Sequence, residues 1–258
     1  MKIRHKLPKP PRSGRPLYVV GYTSAPPSLP ELKAWFDGHY GGPLTLREDH
    51  RASVIVVTHG PWSAVLRIPV SLPDIEEWKE RLGWRHDGMA VLAPTTASPR
   101  EAFDVVLHTA RLARGLTLLT QGTAYDVATQ EYLNPSDWQD RQLDHFIPGD
   151  HILVEHAPAP DPKLDWFHTR GLEKFGLDEL ETFRPVGLPI QPVRECLADI
   201  ASEILHRGQS PKVGATLAMP GLGLSVCIVG HRTGTHPQHL HILREITWHE
   251  GIQDDPIP

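Results

Sequence analysis

The chain has 258 residues, of which 40% are hydrophobic and 22% charged, and its formal net charge is -5. That composition excludes wholesale disorder and gives enough apolar side chain for a sizeable core. The longest uncharged apolar runs, residues 52–57 and 224–229, fall far short of the ~20 residues a bilayer span needs.

Residues 1–16 carry six Lys or Arg and no acid. No apolar stretch follows, and the prolines forbid a regular amphipathic helix, so residues 1–15 read as a flexible basic arm rather than a targeting segment. LYVVGYTS (17–24) reads as a strand closed by the turn-former APPS. Ser28 caps a helix with Pro30 and Glu31 in its first turn and Leu32, Trp35 and Phe36 on one face. The runs 52–59 and 62–70, separated by Gly60-Pro61, are a hairpin signal, and Pro73-Asp74 open a helix that Gly83 closes. MAVLAP (89–94) has the apolar pattern of a central strand. Ser98, Pro99 and Glu101 then form a capping-box pattern for a helix running to about Gly115. LTLLTQGTAYDVATQEYL (116–133) reads as strand, turn and short strand.

The second half opens with the strand HILVEH (151–156), followed by APAPDPK as a linker. The segment after it reads as one or two helical turns broken at Gly171 and Gly176, then a strand with Leu180 and Phe183. From Pro192, apolar residues at Val193, Cys196, Leu197, Ile200 and Ile204 mark an amphipathic helix. Strand-like runs at 213–219, 222–230 and 239–248 complete the chain. Mixed strands and helices with hairpins predict an α+β fold of two lobes, residues 16–157 and 163–250. Each is a mainly antiparallel sheet covered by one or two helices.

Nucleotide-binding loops, dinucleotide fingerprints, metalloprotease helices and nucleophile elbows have no counterpart in the sequence. The C-terminal run GHRTGTHPQHLHIL holds His236, His239 and His241, and His239 and His241 would share one face of a strand. Such a pair can present imidazoles to zinc, giving a metal-dependent hydrolase as the alternative to a chain without cofactor. The other interpretation is the polar face of a strand whose Leu240 and Ile242 turn inward. His168 and Arg170, ahead of Gly171, can bind a carboxylate or phosphate; otherwise Thr169 caps the next turn and Arg170 pairs with Glu173 or a chain carbonyl. Asp126 organises a turn. Glu155 and His156 point to opposite faces of their strand and cannot act as one dyad. The two cysteines, Cys196 and Cys227, lie in apolar patterns and read as free thiols in a cytoplasmic protein.

From Gly60-Pro61-Trp62 through IPVSLPDIEEW, LGWRHDGMAVLAP and GTAYDVAT, then HTRGLEKFGLDELE and VGATLAMPG…LHILREI, the chain resembles an uncharacterised bacterial family. The family is of the kind found near toxin and secretion genes, and the resemblance covers residues 52–247. Where that family has Gly-Asp in its late turn, this chain has Val213-Gly214-Ala215-Thr216. The resemblance implies a ferredoxin-like or related α+β fold and transfers no catalytic residue. It implies an immunity or accessory protein that binds and blocks a toxin or effector. The acidic charge and the seven Trp residues, a residue type common at interface hot spots, suit a protein partner better than nucleic acid or a membrane.

Overall fold

The computed structural model describes residues 15–23, 25–68, 72–95, 101–141, 143–233 and 242–250. The chain divides into two compact units, Met1–Phe146 and Ile147–Pro258. As expected, the fold is α+β, with two largely antiparallel sheets and five α-helices among the described residues, the shortest of them α4 (Pro135–Asp140).

In the first unit, β1 (Tyr18–Tyr22) is buried along its whole length, and its neighbours explain why. It pairs antiparallel with β5 (Gly88–Pro94) on one side and β6 (Thr123–Asp126) on the other. With β2 (Thr45–Asp49), β3 (Val54–His59), β4 (Trp62–Arg67) and β7 (Tyr132–Leu133) the order is β2-β3-β4-β5-β1-β6-β7. Central strands covered on both faces read as continuous apolar runs rather than alternating ones. Val19, Met89, Val91 and Tyr125 form one such face, against which Trp78 and Leu82 of α2 (Leu72–Leu82) pack. The opposite face meets α3 (Ala102–Thr120), on which α1 (Leu29–Tyr40) rests in turn.

The helix ends follow local chemistry in one case and tertiary packing in the other. Ser28 caps α1 as expected, and Glu31 completes a capping box, each side chain bonding the other residue's backbone N–H. For α3, Ser98 and Pro99 lie outside the described residues, and Glu101 stands at the N-cap without a side-chain bond. The helix also runs through Gly115 to Thr120, so 116–120 are helical, not a strand. Gly115 faces the neighbouring helix rather than ending its own: a Cβ there would come within 2.7 Å of the Trp35 ring. Burial of Leu112 and Leu116 holds the last turns in helical form.

The second unit is a six-stranded sheet of β8 (Leu153–Pro158), β9 (Leu164–Arg170), β10 (Glu179–Pro185), β11 (Thr216–Met219), β12 (Leu224–Thr233) and β13 (Ile242–Glu250). Its order is β11-β12-β13-β10-β9-β8. APAPDPK is not a linker: β8 and β9 pair as an antiparallel hairpin across it, and the strand expected to close the first lobe belongs to the second unit. WFHTR is likewise strand rather than helix, because β8 and β10 flank it and pair along it. Between β10 and β13, which run parallel, the chain passes through α5 (Ile190–Arg207) and the β11–β12 hairpin. Val154, Phe167, Leu180 and Ile246 are buried on one sheet face, matched by Leu197, Ile200, Ala201 and Ile204 of α5. Burying these apolar stripes together forms the core of the unit.

Candidate functional site

The sheet face turned away from α5 is polar. Strand register places Glu155 of β8, His168 of β9 and Glu181 of β10 directly opposite one another. Glu245 of β13 continues the row beyond Glu181, and Gly230 of β12 ends it. Directly opposed side chains in a sheet lie about 5 Å apart and diagonal neighbours within reach of long side chains, so a row of this composition requires cations beside it. Arg170 and Arg232 supply them.

Glu155 Oε2 lies 2.8 Å from Arg170 Nε and 3.4 Å from His168 Nε2. The Glu181 carboxylate is fully buried. It accepts Arg232 Nε at 2.8 and 3.0 Å, Arg232 Nη2 at 2.6 Å and the Trp166 indole N–H at 2.8 Å. A buried carboxylate is tolerable only when its lone pairs are met in this way. The Arg232 guanidinium also lies 5.1 Å from the Trp166 ring centre, and the His168 ring lies tilted against that ring, centres 3.9 Å apart. Hydrogen bonding to Glu181 holds Arg232 above the ordinary arginine range. The Arg232 side chain nevertheless stays 42% exposed.

Arg232 reaches this face because β12 contains a bulge. Ile228 pairs with Ile246, both buried, whereas Gly230 pairs with Glu245, so Val229 is the extra residue. Were Val229 paired in an unbroken ladder, Arg232 would fall opposite Ile242 and project from the α5 side.

His168 and Arg170, singled out from sequence, thus share one site, joined through Glu155. Glu155 and His156 do point apart, and His156 pairs with Asp165 at 3.1 Å instead. Arg170 forms an ion pair with Glu155. Thr169 caps no turn: its hydroxyl donates to Glu179 at 2.7 Å, and the Glu179 carboxylate accepts the N–H groups of Gly171 and Glu173. Burial raises the Glu179 pKa, and those donors oppose the rise. Glu181 and Arg232 were not foreseen; Gly230 inside a strand pattern was the available sign of a bulge.

His236, His239 and His241 lie outside the described residues. Among the described residues no group of three or more His, Cys, Asp or Glu side chains is arranged to hold a metal ion. Asp126 organises its turn as expected, its Oδ1 accepting the N–H groups of Ala128 and Thr129. Both cysteines are free, Cys227 buried and Cys196 half-buried. No described helix is long and apolar enough to cross a membrane.

The first unit has a cluster that sequence reading did not single out. His108 of α3 lies beside Phe36, His59 and Trp62. Arg111 Nη1 donates to His108 Nδ1 at 3.1 Å, which fixes the neutral ring with its hydrogen on Nε2. Burial, then the charge of Arg111 and the neighbouring His59, push the His108 pKa down to about 4. Arg111 also donates to the carbonyls of Leu143 and Asp144, tying that segment to α3.

No family model matches the chain, and neither the curated proteins nor the solved structures compared with it give a match.

Proposed function

We propose that the chain is a protein-binding factor, an immunity or accessory protein that binds and blocks a toxin or effector in the bacterial cytoplasm. The observation that carries this reading is the Trp166–Arg232–Glu181 assembly on the polar sheet face. Trp and Arg side chains dominate interface energetics, and the side chains that contribute most are those whose freedom is already restricted before the partner arrives. Glu181 fixes Arg232 in this way while leaving it 42% exposed.

Two further features support docking on this face rather than strand addition. Arg194 of α5 donates to the carbonyl of Val154 on edge strand β8, and Arg207 of the same helix donates to Ala218 on edge strand β11. Each occupies an acceptor that an incoming strand would need. The free thiols suit a reducing compartment, and a net charge of -5 speeds encounter with a basic partner. The family resemblance over residues 52–247 points the same way.

The test is affinity capture of the tagged chain from its native cells, with cross-links mapped by mass spectrometry. A stoichiometric partner cross-linked around Trp166, its affinity lowered about thirtyfold by Trp166→Ala in a variant that still folds by circular dichroism, supports the proposal. Undiminished capture by that variant rejects it.

A further inference from the structure

We propose that the polar sheet face is read by a cationic side chain of the protein partner, seated on the Glu245 carboxylate beside Arg232. The inference rests on the protein-binding reading above and supplies the chemistry of the contact.

Charge on the face does not cancel internally. Arg170 answers Glu155, and Arg232 answers Glu181. Glu245 is held less closely: among the described residues its carboxylate accepts no hydrogen bond and forms no close ion pair, and Arg232, whose charge it feels, is turned to Glu181. Its two cross-strand neighbours differ in kind. On one side stands Glu181, fully engaged by Arg232 and Trp166; on the other stands Gly230, which has no side chain. The carboxylate leans over that glycine, where an added Cβ would lie 3.4 Å from Oε2. A half-buried acceptor above bare backbone leaves room for a Lys or Arg side chain entering from solvent.

The opposite polarity fits less well. A partner carboxylate approaching Arg232 would meet a guanidinium already bonded through two nitrogens to Glu181, with the Glu245 charge alongside. Like charges brought together at an interface cost affinity, whereas a cation there completes the alternation of the row.

The experiment titrates the isotope-labelled full chain with a short capped peptide of alternating glycine and arginine, followed by amide and indole NMR signals. Saturable shifts of the Gly230 amide and the Trp166 indole N–H are expected. Affinity should fall about fivefold in Glu245→Gln, the worth of one exposed ion pair, and stay unchanged in Glu48→Gln on β2 of the other sheet. Shifts produced instead by the matching glycine–glutamate peptide overturn the inference, as does the absence of a Gly230 shift or an equal response of the Glu245→Gln chain. Repeating the cellular capture separates the two proposals. If Trp166→Ala abolishes capture and Glu245→Gln leaves it intact, the cation seat fails and the protein-binding reading stands. If neither variant changes capture, both fail.

Discussion

Glu179 and Glu181 lie two residues apart on β10, both buried, and are kept there by different means. Glu179 is surrounded by neutral donors, the Thr169 hydroxyl and the N–H groups of Gly171 and Glu173. Glutamine has nearly the same shape but presents its own N–H groups to some of these donors. Glu179→Gln should therefore cost about 1–3 kcal/mol, read as a lower urea midpoint at unchanged slope. A variant as stable as the parent would show that those donors find other acceptors. Glu181 depends on a cation. Arg232→Ala leaves it only the Trp166 N–H and should destabilise the chain by about 2 kcal/mol, less than a fully buried pair because Arg232 is partly exposed. Adding Glu181→Leu removes the stranded charge and should recover most of that loss. If it does not, the pair's contribution lies in packing.

At the scale of elements, the β12 bulge and the length of α5 decide what the second sheet presents. Deleting Val229 would let Gly230 follow Ile228 directly, giving an unbroken β12–β13 ladder in which Arg232 stays opposite Leu243 on the polar face. The expected result is unchanged hydrogen exchange of the Trp166 indole N–H, because Arg232 still holds its acceptor Glu181. Slow exchange of the β12 and β13 amides should persist, since the ladder itself is regularised. Loss of protection throughout both strands would mean that the bulge is required for their pairing. Helix α5 spans far enough to place Arg194 near its start and Arg207 at its end on opposite edges of the sheet. A helix two turns shorter could cover the same core without guarding both edges.

For the whole molecule, the pH dependence of stability follows from burying neutral histidine. His108 is pushed down to about 4 in the folded chain, so between its ordinary value near 6.5 and about 4 the unfolded chain takes up a proton that the folded chain refuses. Stability should fall as pH drops through that window and lose nothing further from this group below it. His86, also lowered by burial, adds in the same direction. His108→Asn keeps an acceptor for Arg111 and cannot titrate, so its denaturation midpoint should decline less steeply over the same range. Parallel pH profiles for parent and variant would assign the dependence elsewhere.

Much of the fold is legible in the sequence because the signals are local. The Ser28 cap, the Gly60-Pro61 hairpin, the Asp126 turn and the amphipathic period of α5 each depend on residues a few positions apart. The misread segments are those where distant packing outweighs local preference. Gly115 reads as a stop until Trp35 is seen against it, WFHTR as a helical turn until two strands flank it, and APAPDPK as a linker until its ends are seen to pair. For the site, sequence alone supplies His168 and Arg170, two residues apart on one strand. Only the tertiary structure adds Glu155, Glu181, Arg232 and Glu245, because cross-strand register brings together residues from four different strands. Strand period is read within a segment, whereas register is set between segments, and a single extra residue such as Val229 changes which face a side chain occupies.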